Sequence, residues 1–376
     1  MGILFLITFI DILGFGIIIP ILPNLQAKFL LDPFQIGLLV ASFSIFGLIG
    51  NLFFGILSDK IGRKKLIVIP TFLTSFCYLA IPFIDSFILL LIARSLTGLF
   101  TGNFSVCFAS ASDMSTKETR GKAMGTIGAS FGLGFMLGPT LGGILGQYSF
   151  NYPFYLAAFF QIIASIIALV FFKETLPKYD GSTQKTNLDN LKEFLNNKTF
   201  LYNVLFGVIL FLNLSSLETF FSIHLSKEFK LSPLNIGLYW TIFSIVFTAS
   251  QLTLSRYIKG QKALFLGITL YTISFFTLFL FNNSFIISTI CVILGVAISG
   301  GIVSPNLGAN ISFTGSKYQQ GFIFGVNQST GSLGRILGPL CLGIVYKYFD
   351  LSIVWLIIAL IFVILLTIIN KIFVKN

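Results

Sequence analysis

The sequence predicts an all-α membrane protein with twelve transmembrane helices arranged in two pseudo-symmetric six-helix halves. Three observations support this prediction. Of the 376 residues, 55% are hydrophobic and only 10% are charged, whereas an ordinary soluble protein has about 25% charged residues. Apolar stretches of about 20 residues, the length that crosses a bilayer as a helix, recur along the whole chain. The second half of the chain also repeats motifs of the first half.

Each predicted span is a mostly apolar segment bounded by polar or turn-forming residues. We place the spans at residues 3–25, 34–57, 66–84, 87–112, 122–146, 153–173, 199–223, 233–255, 262–281, 285–310, 320–346 and 350–372. The first span contains Asp11, Pro20 and Pro23 and lacks the basic start and small-residue cleavage pattern of a secretory signal peptide. We therefore expect it to remain in the mature protein.

The basic residues predict the orientation of the chain. With the N-terminus inside, eighteen Lys and Arg residues fall in inner loops or the C-terminal tail, and only four fall in outer loops. Because short cytoplasmic loops are enriched in Lys and Arg, we expect both termini to be cytoplasmic. The longest loop, 174–198, is then a cytoplasmic linker between an N-terminal half, 1–173, and a C-terminal half, 199–376. We expect an integral protein of the plasma (inner) membrane.

An internal repeat with an offset of 200 residues relates the two halves. The segments LDPFQIGLLVASFSIF, from Leu31, and LSPLNIGLYWTIFSIV, from Leu231, agree at eight of sixteen positions. The glycine-rich segments that start at Gly125 and Gly325 align at the same offset. Such repeats are typical of transporters in which one half rocks against the other around a central site.

The composition argues against several other classes of protein. The net charge of +11 would suit a nucleic-acid partner, but most basic residues lie in short loops between apolar segments and not on one face. The four cysteines lie inside apolar segments without Cys-x-x-Cys spacing, and His224 is the only histidine. We therefore expect no metal site, no cofactor and no enzyme activity.

Four motifs carry a resemblance to a known family. The loop after the second span reads GILSDKIGRKKLI from Gly55, the fourth span RSLTGLFTG from Arg94, the fifth GASFGLGFMLGPTLGG from Gly128, and the first DILGFGIIIPILP from Asp11. With these motifs the chain resembles the major facilitator superfamily over essentially its full length, and within it the twelve-span drug:proton antiporters of the tetracycline-efflux type. The resemblance implies the major facilitator fold, with spans 1, 4, 7 and 10 around a central cavity.

The loop at residues 55–67 is a candidate gate on the cytoplasmic side. Gly55 and Gly62 permit a tight turn at the membrane surface, and Asp59 is a carboxylate among basic residues. The alternative is a basic loop that only fixes topology, which requires Lys or Arg but neither a carboxylate nor glycines at fixed positions.

The family resemblance also implies partners for two charged residues of this loop. Asp59 is expected to cap the start of the eleventh span near Gly321, where the helix N-terminus stabilises a carboxylate by about 0.3–1 kcal/mol. Arg63 is expected to bridge to the cytoplasmic end of the fourth span, where Asp113 lies. These contacts would form a latch that holds the outward-open state.

The fifth span carries small residues at regular intervals. Four glycines recur every four residues on one helix face, with a proline and a further glycine beside them: Gly134, Gly138, Gly142, Gly146, Pro139 and Gly143. Small residues at this spacing let helix backbones approach closely. The resemblance associates this motif with antiporters, in which the face would slide against the second half. A static packing face is the alternative.

Four ionisable residues lie inside predicted spans, where each costs roughly 2.5–3.5 kcal/mol on insertion scales: Asp11, Arg94, Glu218 and Arg335. Asp11 is the leading candidate to carry a proton, because intramembrane carboxylates mark proton or ion pathways; a permanently paired structural carboxylate is the alternative. Glu218 is either a partner for Arg335 or an ordinary residue of the outer surface. Arg94 resembles the family's fourth-helix arginine, for which a role in proton transfer is implied.

Buried amides either line a cavity or join helices. We place Asn306 and Asn327 in the cavity and expect others, including Gln161 and Asn213, to join helices. The resemblance implies export of an amphipathic, drug-like compound in exchange for protons. Alternatives are proton-coupled or facilitated transport of a metabolite such as a sugar or organic acid, and a non-transporting or lipid-handling protein on the same fold. The expected partners are a small-molecule substrate, protons and the lipid bilayer, with a monomeric chain and no nucleic acid.

Overall fold

The computed structural model describes residues 1–116, 119–176, 198–313 and 320–373, which are helical apart from short connections. Side chains are described over these ranges except at residues 120–121, 198–199, 311–313, 320–328 and 369–373. Most of the predicted linker, 174–198, therefore lies outside the described residues.

Twelve long helices follow one another in these described ranges. They are α1 Gly2–Phe29, α2 Pro33–Ile61, α3 Arg63–Phe83, α4 Phe87–Asp113, α5 Lys122–Tyr148, α6 Tyr152–Phe171, α7 Phe200–Lys227, α8 Pro233–Tyr257, α9 Gly260–Phe281, α10 Phe285–Asn310, α11 Gln320–Tyr348 and α12 Leu351–Phe373. Within the described part of the chain, eleven of these helices are long and apolar enough to cross a membrane, and α11 occupies the remaining predicted span. The predicted all-α fold is confirmed.

The outer faces of these helices carry large apolar side chains. Leu52, Leu89, Val170 and Ile286 are each more than half exposed. A water-soluble protein rarely exposes so many apolar residues side by side, whereas helices surrounded by lipid do so throughout. The exposed faces therefore identify an integral membrane protein.

The start of α2 shows how the sequence sets a helix boundary. Asp32 accepts a hydrogen bond from the backbone N–H of Gln35 at 2.8 Å, and the Gln35 side chain accepts one from the backbone N–H of Asp32 at 3.0 Å. Pro33 follows at the first helical position, where its missing N–H costs nothing. A capping residue of this kind stabilises a helix by about 1 kcal/mol.

Several helices depart from regular α-helix inside the predicted spans, and three of these departures matter for the site. In α1 a short 3₁₀ segment, Ile19–Ile21, contains Pro20, which cannot donate a backbone hydrogen bond. The helices α7 and α10 contain π-helical segments at Leu217–Phe221 and Cys291–Val296. Wide turns of this kind occur frequently at functional sites, and Glu218 lies in the first of them.

Contacts between helices divide the chain into two compact units. The N-terminal unit contains Met1–Gly181 and Phe221–Thr241, and the C-terminal unit contains Ser182–Phe220 and Ile242–Asn376. The units follow the two halves of the repeat, except that the end of α7 and the first part of α8 cluster with the N-terminal unit.

Equivalent helices of the repeat pack in equivalent pairs. In the N-terminal unit α1 packs on α5, α2 on α4 and α3 on α6. In the C-terminal unit the first part of α7 packs on α11, and α9 packs on α12. The pair α8 and α10 is close enough that a Cβ atom at Gly301 would lie 2.5 Å from the carbonyl oxygen of Phe247. The sequence repeat is therefore also a repeat of packing.

Glycines make the closest of these helix contacts possible. A Cβ atom at Gly142 of α5 would collide with the carbonyl oxygen of Ile17 in α1, and one at Gly338 of α11 would collide with that of Leu212 in α7. The glycine face of α5 therefore packs directly on the α1 backbone. Its sliding during transport remains a prediction.

Candidate functional site

The buried carboxylate of α1 is held by an amide of α6. Asp11 is only 3% exposed and Gln161 is fully buried. The Gln161 Nε2 atom donates a hydrogen bond to Asp11 Oδ1 at 2.8 Å. Over the described part of the chain, Asp11 Oδ2 and Gln161 Oε1 are buried and have no hydrogen-bond partner. One oxygen of each group is thus left unsatisfied.

The arginine of α4 interacts with a phenylalanine ring and with the hydroxyl of Tyr78. The Arg94 guanidinium lies over the ring of Phe43, 4.7 Å from its centroid. Its Nε and Nη1 atoms have no hydrogen-bond partner among the residues described. The Tyr78 hydroxyl lies within electrostatic range of both Arg94 and Asp11. We call Asp11, Tyr78, Arg94 and Gln161 the N-terminal polar cluster.

Further polar contacts lie beside this cluster on the same helices. Thr8, nearly one helical turn before Asp11, hydrogen-bonds to Ser130 of α5. Asn103 of α4 donates from Nδ2 to the Thr71 hydroxyl at 2.8 Å. These contacts join neighbouring helices and leave the Asp11 carboxylate to Gln161.

The C-terminal unit holds a second buried acid, and a partly buried arginine lies near it. Glu218 is 7% exposed, which excludes an ordinary surface position, and it lies within electrostatic range of Arg335. The Arg335 guanidinium lies 5.4 Å from the ring centroid of Phe211. We call Glu218, Arg335 and Phe211 the C-terminal charge cluster.

The two asparagines predicted to line the cavity have different outcomes. Asn306 accepts a hydrogen bond from the backbone N–H of Gly260 at 2.8 Å and donates to the carbonyl oxygens of Ile258 and Ile302. It therefore joins α10 to the connection between α8 and α9, which replaces the predicted cavity role because its polar atoms are already engaged. The side chain of Asn327 lies outside the described residues. Asn213, which the sequence assigned to helix joining, is 1% exposed and has no hydrogen-bond partner in the described ranges.

The loop after α2 brings its predicted charges together. Arg63 Nε lies 3.0 Å from Asp113 Oδ2, and Arg63 Nη1 lies 2.7 Å from Asp59 Oδ1. The turn itself is at Gly62, whose φ of 104° requires a glycine. Gly55, in contrast, lies inside α2 and faces Ser105 of α4, so its predicted place in the turn is wrong: α2 continues to Ile61.

A residue that the sequence analysis missed completes this loop. Glu174, just after α6, accepts hydrogen bonds from the backbone N–H groups of Arg63 at 2.8 Å and Lys64 at 3.2 Å, at the start of α3. Partial burial raises the pKa of Glu174, but the backbone N–H donors of Leu176, Arg63, Lys64 and Thr175 outweigh it and hold the pKa below the usual 4.5. We call Asp59, Gly62, Arg63, Asp113 and Glu174 the charged latch. The predicted contact of Asp59 near Gly321 falls on side chains outside the described residues.

The second half of α5 crosses the first part of α8 within the N-terminal unit, and this contact contains no charged residue among those named below. The hydroxyls of Thr140 and Thr241 share a short hydrogen bond. Beside them, a Cβ atom at Gly143 would lie 3.2 Å from the Cα atom of Gly237. Pro139 adjoins this crossing, because its carbonyl oxygen would collide with a Cβ atom at Gly237. Gly143 of the predicted antiporter motif thus faces α8, while Gly134, Gly138 and Gly142 face α1.

The sequence is similar to a known family of membrane proteins and to individual members of it. A profile of the Major Facilitator Superfamily matches residues 4–339 and 209–375. Multidrug resistance protein 2 of Bacillus subtilis (strain 168) is 29% identical over 355 residues, which cover 92% of this chain and 87% of the relative. Quinolone resistance protein NorA of Staphylococcus aureus (strain MSSA476) is 27% identical over 354 residues, which cover 92% of this chain and 89% of the relative.

Solved structures support the same fold. The human organic anion transporter MFSD10 (TETRAN) has a TM-score of 0.71 at 22% identity and covers 98% of both chains. The nucleoside transporter NupG has a TM-score of 0.80 at 18% identity and covers 99% of both chains. Similarity at this level of identity establishes the fold, whereas the substrate depends on the site that each protein builds on it.

Proposed function

We propose that this chain, which belongs to the Major Facilitator Superfamily, exports an amphipathic, drug-like organic compound in exchange for protons by alternating access. Relatives named for multidrug and quinolone resistance cover 92% of the chain, which supports a drug-type substrate. The observation that carries proton coupling is the buried Asp11 carboxylate, whose second oxygen is free of hydrogen bonds to any described residue. Burying an acid in a membrane costs free energy, and the acids that occur there usually mark proton or ion pathways.

The exchange requires that proton and compound use the same conformational cycle. In one state Asp11 takes a proton from the outer side, and in the other it gives the proton to the cytoplasmic side. An exporter releases its substrate outside when the proton enters. Arg94 and Tyr78 keep the polar surroundings of Asp11 in place during both steps.

Aromatic side chains near Arg94 suit an amphipathic compound. The ring of Phe15 lies 5.3 Å from that of Phe43 and 5.6 Å from that of Phe135. Such rings offer apolar area and cation–π contacts without requiring fixed hydrogen bonds. This chemistry favours apolar or cationic aromatic compounds over sugars, which need several hydrogen-bond partners.

A vesicle assay tests this proposal directly. The purified protein is reconstituted in vesicles with an imposed pH gradient and a pH dye inside, and lipophilic cations, quinolones, sugars and organic acids are added in turn. Proton movement driven by lipophilic cations or quinolones supports drug export. Movement driven only by sugars or organic acids would replace drug export with metabolite transport, and no movement with any compound would point to a non-transporting protein.

We also propose the orientation, membrane and oligomeric state. The distribution of basic residues supports two cytoplasmic termini. We further propose that the protein is a monomer in the plasma membrane. Reporter fusions at each terminus test the orientation, and light scattering of the detergent-solubilised protein tests the oligomeric state.

A further inference from the structure

We infer that Gln161 positions the proton on Asp11, by donating a hydrogen bond to Oδ1 and accepting one from the protonated Oδ2 through its own Oε1. This inference rests on the proposed proton coupling at Asp11. It assigns a role to a residue that the sequence placed among helix-joining amides, and it names the oxygen of Asp11 that exchanges the proton.

The hydrogen bonds of this pair are incomplete in one protonation state only. Gln161 Nε2 donates to Asp11 Oδ1 at 2.8 Å, while Asp11 Oδ2 and Gln161 Oε1 both lack a partner in the described structure. Both unsatisfied atoms are acceptors when Asp11 is ionised, so they cannot bond to each other. A proton on Oδ2 turns that atom into a donor, and Oε1 is then its acceptor.

An amide matches a carboxyl group in shape and in spacing. Each group has two polar atoms on one planar carbon, so the two groups can form a pair of parallel hydrogen bonds when their planes align. A protonated acid and an amide therefore form two bonds, and an ionised acid and the same amide form one. The number of hydrogen bonds between Asp11 and Gln161 therefore differs between the two protonation states of Asp11, although Gln161 is neutral.

The other groups around Asp11 cannot do this. Tyr78 of α3 and Cys107 of α4 lie within electrostatic range of Asp11. Arg94 of α4 lies within electrostatic range of Tyr78. On α5, the Ser130 hydroxyl forms a hydrogen bond with the Thr8 hydroxyl. Among the described residues, Gln161 is the one that makes a hydrogen bond to Asp11.

The exchange itself needs only water. On release, the Oδ2–H bond of Asp11 breaks, the proton passes to a water molecule and the bonding electrons remain on the carboxylate. On uptake, a hydronium ion returns the proton to Oδ2 and becomes water. Gln161 remains neutral throughout and keeps its hydrogen bond to Oδ1.

Infrared spectroscopy of the reconstituted full chain tests the role of Gln161 separately from transport. The C=O stretch of a protonated carboxyl group lies at a lower wavenumber when the group is hydrogen-bonded. In the parent protein we expect a titrating carboxyl band that Asp11→Asn removes. In Gln161→Leu we expect this band at a higher wavenumber, with a changed titration midpoint and proton-coupled exchange reduced at least about tenfold.

Two further variants make the result decisive. Ser130→Ala removes a buried hydrogen bond one turn away on the same helix bundle, and it should leave the Asp11 band in place. Gln161→Met keeps the length of the side chain without its polar atoms, so it serves if Gln161→Leu does not fold. An unshifted band in a folded Gln161 variant would overturn the inference alone. The absence of any titrating band that depends on Asp11 would instead overturn the proposed coupling.

Discussion

The two units of this protein contain the same kinds of residue in different arrangements. Among the described residues, each unit has a buried carboxylate and an arginine whose guanidinium lies over a phenylalanine ring, at 4.7 Å for Arg94 and 5.4 Å for Arg335. In the C-terminal charge cluster, Glu218 and Arg335 interact directly through their charges. In the N-terminal polar cluster, Asp11 bonds to a neutral amide, and the Tyr78 hydroxyl lies within electrostatic range of both Asp11 and Arg94.

This difference separates a site for exchange from a site for stability. A carboxylate beside a neutral amide can gain or lose a proton without breaking an ion pair. A carboxylate that faces a guanidinium loses that attraction when it is protonated, and a buried pair broken on one side costs about 3–5 kcal/mol. We therefore propose the N-terminal polar cluster as the proton carrier and the C-terminal charge cluster as a structural element.

The largest expected effect comes from Asp11→Asn, which tests the exchange side of this comparison. The amide keeps the volume of the carboxyl group but cannot carry the proton, so proton-coupled transport should fall by about 100-fold or more while the protein stays folded. Substrate-driven pH change in vesicles and the melting temperature in detergent measure the two effects.

Asp85→Asn is the matched control, because the Asp85 side chain is 91% exposed. It should leave both measurements unchanged. Normal proton movement in Asp11→Asn would remove Asp11 from the mechanism, and loss of folding alone would make it a structural residue.

The second expected effect concerns Glu218 and Arg335 and tests the stability side of the comparison. Glu218→Gln and Arg335→Met should each destabilise the protein, because each removes one charge of the pair, and breaking a buried pair on one side costs about 3–5 kcal/mol. The double variant should lose less than the sum of the two, because it removes both charges. Melting temperatures of the four proteins form the double-mutant cycle, and additive losses would show that the two residues act independently.

Asp59→Asn extends the comparison to exposed charges and should have a smaller effect. The charged latch is expected to meet the start of α11 in the outward-open state, so neutralising Asp59 should favour the inward-open state. A loss of about 1.4 kcal/mol shifts the ratio of the two states tenfold. Cysteine probes at the start of α11, in a background without the four native cysteines, should be labelled faster.

Lys60→Gln provides the control for Asp59→Asn, because it changes a neighbouring charge of the same loop without removing the carboxylate. Equal labelling in Asp59→Asn and the parent protein would mean that Asp59 serves folding or topology only.

The smallest expected effect comes from Glu174→Gln. The pKa of Glu174 is below its usual value of 4.5 in the folded protein, so the ionised form stabilises the fold at neutral pH. That contribution is complete above pH 4.5 and is lost as the pH falls through the lower, folded-state value. Because Glu174 is exposed, we expect less than about 1 kcal/mol at neutral pH.

Melting temperatures of Glu174→Gln and the parent protein, measured from pH 7 to pH 3, should therefore converge at low pH. Glu228→Gln, at another exposed acid, is the control. A constant difference between Glu174→Gln and the parent protein across this range would show that the carboxylate of Glu174 stabilises the fold without its charge.

Part of the candidate site could be predicted from the sequence. The family resemblance implied the contact between Arg63 and Asp113, and the glycine face of α5 follows from the helical repeat of four residues. The bond between Asp11 and Gln161 joins residues 150 positions apart. No local pattern links them, and the same polar residues could have paired in several other ways.

Misplaced predictions have similar causes. Gly55 was expected in a turn because glycine favours turns, but α2 continues past it to Ile61. Because Gly55 has no side chain, Ser105 of α4 can approach the helix there. Asn306 was expected in a cavity because amides bind ligands, but the end of α8 brings backbone groups to it. In both cases a neighbouring helix decided the role of the residue.

The sequence by itself determined the twelve spans, the repeat and the turn at Gly62, because hydropathy and backbone conformation are local properties of the chain. The tertiary structure alone decided that Gln161 meets Asp11 and that Glu174 caps α3 at Arg63, 111 positions away. Each residue turns a helix by about 100°, so a shift of one position moves a side chain to another face. Which faces meet is set by the packing of whole helices, and the partners of each buried polar group follow from that packing.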